Sequence, residues 1–206
     1  MYVGRIELRV MIWNLFHGRA VPPAGHDLFE QFAAVLARWE WDVALLQEVP
    51  PWWPPMLASR LGACERHVLT SRNSLPDLRG AAGVRWPDLI RANGGGCNAI
   101  LVRCGFAQIE EHRLRRLAVL PERRWVHAVR LGSAWVANVH TQTSVRQASL
   151  AAWTVLRWAE GAPAVLGGDF NLAWPWLDGL RWMGGFGVDH VFAAGGAVAA
   201  SRPDLF

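Results

Sequence analysis

Gly167-Gly168-Asp169-Phe170-Asn171 decides the fold, and it follows directly on the apolar run Ala164-Val165-Leu166. Such a run is typical of a buried strand, so the stretch places polar side chains at the strand's carboxyl end. Residues two apart on an extended chain point the same way, and Asp169 and Asn171 are therefore expected to share one face. A carboxylate beside a carboxamide suits a phosphate with a divalent cation. A strand-ending turn is the alternative, because Gly, Asp and Asn all favour turns.

The bulk composition is that of one folded domain over residues 1–206. Hydrophobic residues make up 52% of the chain and charged residues 18%, which excludes a disordered protein. A chain of 206 residues is long enough to bury a large core. We expect a monomer.

No apolar run approaches the length of a membrane span, and the first residues, Met1-Tyr2-Val3-Gly4-Arg5, lack the apolar core of a signal peptide. A cytoplasmic location without a membrane span is therefore expected. Cys64, Cys97 and Cys104 lack metal-ligand spacing, which makes a zinc site built on cysteine an improbable interpretation.

The charge balance is mildly basic. The net charge is +4, and arginine supplies every one of the 21 basic residues. Arginine favours bidentate contacts to phosphate, which is compatible with a phosphorylated or nucleic-acid partner such as DNA or RNA. Genomic base composition is the alternative explanation for the arginine bias and for the 13 tryptophans.

Hydrophobic periodicity predicts strands and a few helices in alternation. Strands are expected at 6–16, 41–49, 98–103, 114–120, 125–131, 133–140, 164–166 and 188–194. Helices are expected after an N-cap at Asp27, from about 55 to 61, and over 145–160. Some of these strands are apolar on both faces, which indicates a layered α/β protein with stacked sheets.

Three further stretches carry expectations of their own. Residues 71–96 are rich in Gly, Pro, Asn and Arg and are predicted to form a long surface loop, with Arg72, Arg79, Arg85 and Arg91 available to a substrate. Trp52 and Trp53 are expected to be exposed, where they could stack on a base. Arg124 could reach a phosphate, but a position on a solvated face is expected for it.

Polar residues recur where the predicted strands end. They are Asn14, Glu48, Asn138 with His140, Asp169 with Asn171, and Asp189 with His190. A buried carboxylate is costly unless it is paired or bound to a metal, so the repeated placement of Glu48, Asp169 and Asp189 predicts that they converge. Oxygen ligands without sulfur favour Mg²⁺ or Mn²⁺.

Five short motifs, taken together and in order, resemble the endonuclease/exonuclease/phosphatase superfamily, which has the deoxyribonuclease-I-like fold. The motifs are Ile12-Trp13-Asn14-Leu15, Leu45-Leu46-Gln47-Glu48-Val49, Asn138-Val139-His140-Thr141, Gly167-Gly168-Asp169-Phe170-Asn171 and Val188-Asp189-His190-Val191. The resemblance implies a four-layer sandwich of two stacked mixed β-sheets flanked by helices. It also implies a metal-dependent phosphoesterase that uses Mg²⁺ or Mn²⁺.

The resemblance assigns a role to most of the strand-end residues. Glu48 would be the principal metal ligand, with Asn14 beside it. His140 would hydrogen-bond or protonate at the scissile phosphate, Asp169 would orient or activate the attacking water, and Asn171 would hold a phosphate oxygen. Asp189 would lie near the metal. The adjacent His190 is a candidate catalytic residue, and the alternative is that it packs facing away from the site.

The chain departs from the family at its closing Ser-Asp-His motif. Ser201-Arg202-Pro203-Asp204 offers the serine without the Asp-His pair. Truncation or recoding of this end, a degenerate member, and substitution by His190 or His17 all remain open. Two functions follow: hydrolysis of a phosphodiester or phosphomonoester by water, or a catalytically degenerate phosphate- or nucleic-acid-binding module.

Overall fold

Ten strands and three helices make up the described part of the chain, residues 8–70 and 96–195 of a computed structural model. The strands are β1 Val10–Asn14, β2 Val43–Val49, β3 Ala63–Leu69, β4 Cys97–Arg103, β5 Glu111–Ala118, β6 Arg124–Leu131, β7 Ala134–His140, β8 Ala164–Asp169, β9 Arg181–Phe186 and β10 Asp189–Ala194. The helices are α1 Phe29–Arg38, α2 Trp53–Leu61 and α3 Val145–Ala159, and a short 3₁₀ turn covers Phe16–Gly18. None of these helices is long and apolar enough to cross a membrane.

The strands form two mixed sheets. Sheet A has the order β1-β2-β4-β3, and sheet B has the order β5-β6-β7-β8-β10-β9. Each sheet contains one parallel pair, β1 with β2 and β7 with β8, beside antiparallel neighbours. The carboxyl ends of these four strands consequently lie at one end of the sandwich.

Three apolar clusters separate four layers, which confirms the predicted sandwich. The outer face of sheet A packs against α1 and α2 through residues such as Leu36 and Trp53. The outer face of sheet B packs against α3 through Val155 and Phe170. Between the sheets lies a third cluster that includes Val43, Leu45, Ile100, Val129, Val136 and Val165.

The two sheets approach closely at the end of β8. A Cβ added at Gly167 would come within 2.8 Å of Leu45 Cδ1 and 3.1 Å of Ile12 Cδ1, both on sheet A. Gly168 has φ +140°, and a Cβ there would lie 1.9 Å from the Val139 carbonyl oxygen. The glycine pair thus lets β8 end against both β7 and the opposite sheet.

Several local predictions differ from the structure. Strands β3 and β9 were not predicted, because charged residues fill β3 and Gly184-Gly185 interrupts β9. Helix α1 has Leu28 at its N-cap with no side-chain hydrogen bond, so the cap predicted at Asp27 is wrong. Trp53 is fully buried beneath α1, not exposed, because α2 begins there.

Two predicted features lie outside the described residues: the surface loop with its arginines, apart from Gly96, and the Ser201 segment that bears on the closing motif. Among the cysteines, Cys97 is buried. Cys64 and Cys104 are exposed, with their sulfur atoms 3.9 Å apart.

Candidate active site

Polar side chains from four strand ends meet at one end of the sandwich. In the β7–β8 register His140 lies opposite Asp169, and in the β10–β8 register Asp189 lies opposite the same residue. Asn14, from the carboxyl end of β1 in the other sheet, reaches Asp169 directly. The structure thus brings polar side chains from both sheets together at this end.

Asp169 is held from two sides. Asn14 Nδ2 donates to Asp169 Oδ2 at 3.1 Å, and the Asn171 backbone N–H donates to Asp169 Oδ1 at 2.9 Å. His140 Nε2 lies 3.7 Å from Oδ2. Only 5% of Asp169 is exposed, so these neighbours fix the direction in which the carboxylate faces.

Glu48 faces the same cluster because β2 is irregular at this point. The β2–β4 register shifts between Leu46 and Val49, and Glu48 has φ +49°. Bulges of this kind redirect a side chain. Glu48 Oε2 lies 3.2 Å from His17 Nε2, and Oε1 lies 3.9 Å from His140 Nε2. The Glu48 side chain keeps 24% of its surface exposed and is open to a ligand.

Left-handed backbone conformations concentrate around the cluster. Five described residues other than glycine have positive φ: Phe16, His17, Glu48, Glu160 and Asn171. Four of these belong to the cluster or its neighbouring turn, and the fifth, Glu160, caps α3. Such conformations cost energy and persist where the surroundings impose them, often at functional sites.

A buried hydrogen-bond network behind the cluster joins the sheets. Gln47 Nε2 donates to Asn138 Oδ1 at 2.7 Å. Asn138 Nδ2 donates to the carbonyls of Leu46 and Ala99 at 2.9 Å each. Gln47 and Asn138 are fully buried. Gln47 directly precedes Glu48, and Asn138 lies two residues before His140. The network thus fixes the strands that carry both side chains.

His140 is a neutral imidazole at physiological pH. Burial, and then the positive charges of Arg124 and His17, lower the pKa of His140 to about 3. The ring is 3% exposed and faces Glu48 and Asp169 through Nε2. It can therefore hydrogen-bond a phosphate oxygen without carrying a charge of its own.

Asp189 has the opposite perturbation. Burial, and then the charge of Asp169, raise the pKa of Asp189 to about 6. Its Oδ1 is buried and has no hydrogen-bond partner among the described residues. A carboxylate in this position is short of positive charge, which a proton or a cation would supply.

His190 is not brought into the cluster. Trp182 Nε1 donates to His190 Nδ1 at 3.3 Å, and His190 Nε2 is 2.8 Å from the Leu172 carbonyl. Its ring also packs near Phe170 and Phe192 on the helix side of sheet B. With both nitrogens engaged there, the contacts favour the alternative that His190 faces away.

Asn171 lies beside the cluster in a turn. Strand β8 ends at Asp169, and Asn171 has φ +50°, so the expectation of an extended chain with both side chains on one face is wrong. Asn171 Nδ2 donates to the Thr141 carbonyl at 2.9 Å. Asp169 therefore both ends strand β8 and begins a turn, in which its side chain accepts a hydrogen bond from the backbone N–H two residues on.

Two residues near the site had no assigned role in the family's motifs. His17 was considered as a substitute for the closing histidine, and its side chain contacts Glu48. Arg124 was expected on a solvated face, but its side chain is 13% exposed and its charge acts on His140. Arg124 therefore adds positive potential beside the carboxylates.

A family model and several solved structures are similar to this chain. The sequence model of the Endonuclease/Exonuclease/phosphatase family matches residues 11–205. The chain belongs to the endonuclease/exonuclease/phosphatase family. None of the curated proteins matches the chain significantly.

Solved structures of this family share the fold. A family protein from Bacteroides thetaiotaomicron has a TM-score of 0.63 at 16% identity, covering 91% of this chain and 80% of that one. A mannosyl-6-phosphatase from the same species has a TM-score of 0.62 at 16% identity, covering 91% and 85%. TDP2 from Caenorhabditis elegans has a TM-score of 0.62 at 14% identity, covering 92% and 64%.

The polar cluster of this family member offers oxygen ligands of the kind that a hard cation such as Mg²⁺ takes, although the protein supplies only a few of them. Within residues 8–70 and 96–195, no three His, Cys, Asp or Glu side chains form a cage that could hold a metal ion. Mg²⁺ does not require such a cage, because one or two carboxylates with water and substrate phosphate usually suffice. The partly exposed Glu48 and the amide oxygen of Asn14 fit that requirement, and the orphaned Asp189 oxygen marks a local need for positive charge.

Proposed function

We propose that the protein is a divalent-metal-dependent phosphoesterase in which water attacks a phosphodiester or phosphomonoester. One observation carries the proposal: Asn14, Glu48, His140 and Asp169 converge from the ends of strands in both sheets. Packing of a hydrophobic core does not explain this arrangement, because burying carboxylates costs free energy.

The residues divide the work between binding and proton handling. Asp169 accepts the hydrogen bonds from Asn14 and from the Asn171 backbone, so its carboxylate is aligned to orient a water and take its proton. The neutral His140 hydrogen-bonds a non-bridging phosphate oxygen. Arg124 offsets the negative charge of the bound ester.

Glu48 and Asn14 would hold Mg²⁺ or Mn²⁺ in this proposal. When bound, the ion neutralises phosphate charge and positions the ester for attack. Asp189 lies opposite Asp169 and would add negative charge near the ion. His17 supplies a second imidazole at the cluster, in keeping with the alternative that it substitutes for the family's closing histidine.

A hydrolysis panel tests the function. It comprises plasmid DNA, RNA, an aryl phosphodiester and an aryl phosphomonoester, each with Mg²⁺ or Mn²⁺. We expect turnover of at least one substrate, and a loss of about 10²-fold or more in kcat for Glu48→Gln and for Asp169→Asn.

Glu110→Gln is the matched control, because Glu110 is an exposed carboxylate paired with Arg130 and distant in the fold from these strand ends. It should retain wild-type activity. Turnover that survives excess chelator, or that is unchanged in Glu48→Gln, would contradict the proposal. Binding of a phosphate ester without turnover under any metal would support the degenerate binding module instead.

A further inference from the structure

Exposed apolar side chains are concentrated at the end of the molecule that carries the cluster. The large hydrophobic residues exposed on the turns and element ends there are Phe16, Val21, Leu69, Val119, Leu120, Val145, Phe186 and Val188. Trp174, which is 89% exposed, follows shortly after the turn at Asn171. Single exposed hydrophobics are ordinary on a protein surface, but a concentration at one end is typical of a docking surface.

The sandwich places these side chains on two sides of the cluster. Strand β1 lies over β8 and β10, so the segment after β1, with Phe16 and Val21, lies at the same end of the sandwich as the β9–β10 turn that carries Val188. Strand β3 lies over β6, so Leu69 lies at the same end as the β5–β6 turn that carries Leu120. The polar cluster thus has apolar segments on both sides; we call these segments, together with the one that carries Trp174, the apolar rim.

The exposure of the rim is unfavourable in water. Val21 is 83% exposed and Leu120 is 80% exposed. Moving such a side chain out of water is favourable in proportion to the apolar area that leaves the water. Several rim residues transferred together would therefore supply a substantial free energy of binding to an apolar phase.

Arginines are interspersed with the rim. Arg19 follows the first turn, with its guanidinium 5.5 Å from the Phe16 ring centroid. Arg123 is exposed beside Leu120, and Arg146 is exposed beside Val145. Apolar side chains mixed with cations are the composition that binds an anionic lipid surface.

A lipid surface fits the rim better than a nucleic acid does. Exposed aliphatic side chains outnumber the aromatic ones at this end of the molecule: Val21, Leu69, Val119, Leu120, Val145 and Val188 have no flat face on which a base can stack, whereas Phe16, Trp174 and Phe186 have one. Single-stranded nucleic acids are bound instead by aromatic platforms in a strongly cationic groove.

We propose that the apolar rim docks on an anionic lipid bilayer and presents the phosphate of a lipid headgroup to the cluster. The choice of a headgroup ester as the substrate rests on the proposed phosphoesterase function, whereas the docking does not. The substrate would then be bound only after the rim residues have entered the interface.

Vesicle flotation in EDTA tests the docking without turnover. The probes are vesicles of phosphatidylcholine alone and vesicles mixed with phosphatidylglycerol. We expect the wild-type protein to float with the anionic vesicles, and Val21→Ser/Leu120→Ser to lose at least tenfold in partition. Trp174→Ser provides a second rim variant should the first fail to fold by circular dichroism.

Leu114→Ser is the matched control. Leu114 is 48% exposed in the middle of β5, away from the strand ends, and this variant should bind vesicles like the wild type. Wild-type protein that does not float with anionic vesicles would overturn the proposal. Equal partition of a folded rim variant, or tighter binding to a single-stranded oligonucleotide than to vesicles, would also overturn it.

An activity arm separates the docking from the chemistry. With Mg²⁺, water adds at the phosphorus of phosphatidylglycerol and the P–O bond to the glyceride breaks, which releases glycerol phosphate and leaves diacylglycerol in the vesicle. Val21→Ser/Leu120→Ser should release glycerol phosphate at least tenfold more slowly than the wild type, and hydrolyse a soluble aryl phosphodiester at the wild-type rate. Equal losses on both substrates would overturn the inference. Glu48→Gln should still float with vesicles, so a failed hydrolysis panel beside intact flotation refutes only the phosphoesterase function.

Discussion

Asp189 couples the stability of the metal-free protein to pH. Its pKa is raised to about 6 by burial and by Asp169, so the folded state binds a proton that the unfolded state has released. The contribution of Asp189 to stability is therefore complete below about pH 4 and is lost as pH rises through about 6.

Asp189→Asn removes this dependence. In EDTA at pH 8 we expect its free energy of unfolding to exceed that of the wild type by about 1–3 kcal/mol, because the unfavourable buried charge is gone. At pH 4 the gain should shrink towards zero. Urea unfolding at both pH values measures this, and equal or lower stability of the variant at pH 8 would contradict it.

The contribution of His140 to stability depends on pH in the opposite direction. Its pKa is lowered to about 3, so between the two pKa values the unfolded state binds a proton that the folded state does not bind. Its contribution is complete above about pH 6.5 and is lost as pH falls towards 3. His140→Gln, which does not titrate, should flatten the acid limb of the stability curve in EDTA and leave the limb above pH 7 unchanged. An acid limb as steep as that of the wild type would contradict this.

At the scale of a single element, the end of β8 depends on its two glycines unequally. At Gly168 the obstacle to a Cβ is backbone, the Val139 carbonyl oxygen at 1.9 Å, and φ is +140°. At Gly167 the obstacles are the methyl ends of Leu45 and Ile12, which can shift. We expect Gly168→Ala to cost at least about 3 kcal/mol and Gly167→Ala about 1–2 kcal/mol.

Chemical denaturation of the two variants measures the difference, and each serves as the control for the other. The activity of Gly168→Ala at 25 °C should fall by more than the fraction of unfolded protein explains, because the β7–β8 register sets His140 opposite Asp169. Equal costs at the two glycines would show that backbone at Gly168 relaxes freely.

The elements that sequence alone predicted are those with continuous apolar runs. Strands β2 and β4 are buried on both faces, and their apolar runs, Ala44-Leu45-Leu46 and Ala99-Ile100-Leu101-Val102, are recognisable in the sequence. Strands β3 and β9 are edge strands that lack such a run: β3 contains Glu65-Arg66-His67, and β9 contains Gly184-Gly185. At an edge, pairing with a neighbour and not burial decides the conformation, and a single sequence does not reveal the neighbour.

The same distinction applies to the site. Polar residues that interrupt apolar strand ends, such as Glu48 and Asp169, stand out from the pattern. His17 does not, because its approach to Glu48 depends on the left-handed backbone of the turn after β1. The conformation at Asn171 was also out of reach, since extended and turn structures were both compatible with Gly-Gly-Asp-Phe-Asn.

At the scale of the whole molecule, the two sheets are joined behind the cluster by polar as well as apolar contacts. The inter-sheet layer is otherwise built of aliphatic residues, which attract without specifying an alignment. The Asn138 amide, by contrast, meets three partners on sheet A: the side chain of Gln47 and the carbonyls of Leu46 and Ala99. We infer that this network sets the alignment of Glu48 with His140.

Asn138→Leu tests that inference, because leucine has a similar volume and cannot hydrogen-bond. We expect a loss of about 2–4 kcal/mol in the free energy of unfolding, since the carbonyls of Leu46 and Ala99 lose a donor and the Gln47 amide loses one of its two acceptors. Gln47→Leu in the same background should cost less than it does alone, because its partner is already gone. Urea denaturation of the four proteins gives this cycle. Strictly additive costs would show that the two amides act independently and that the aliphatic layer alone aligns the sheets.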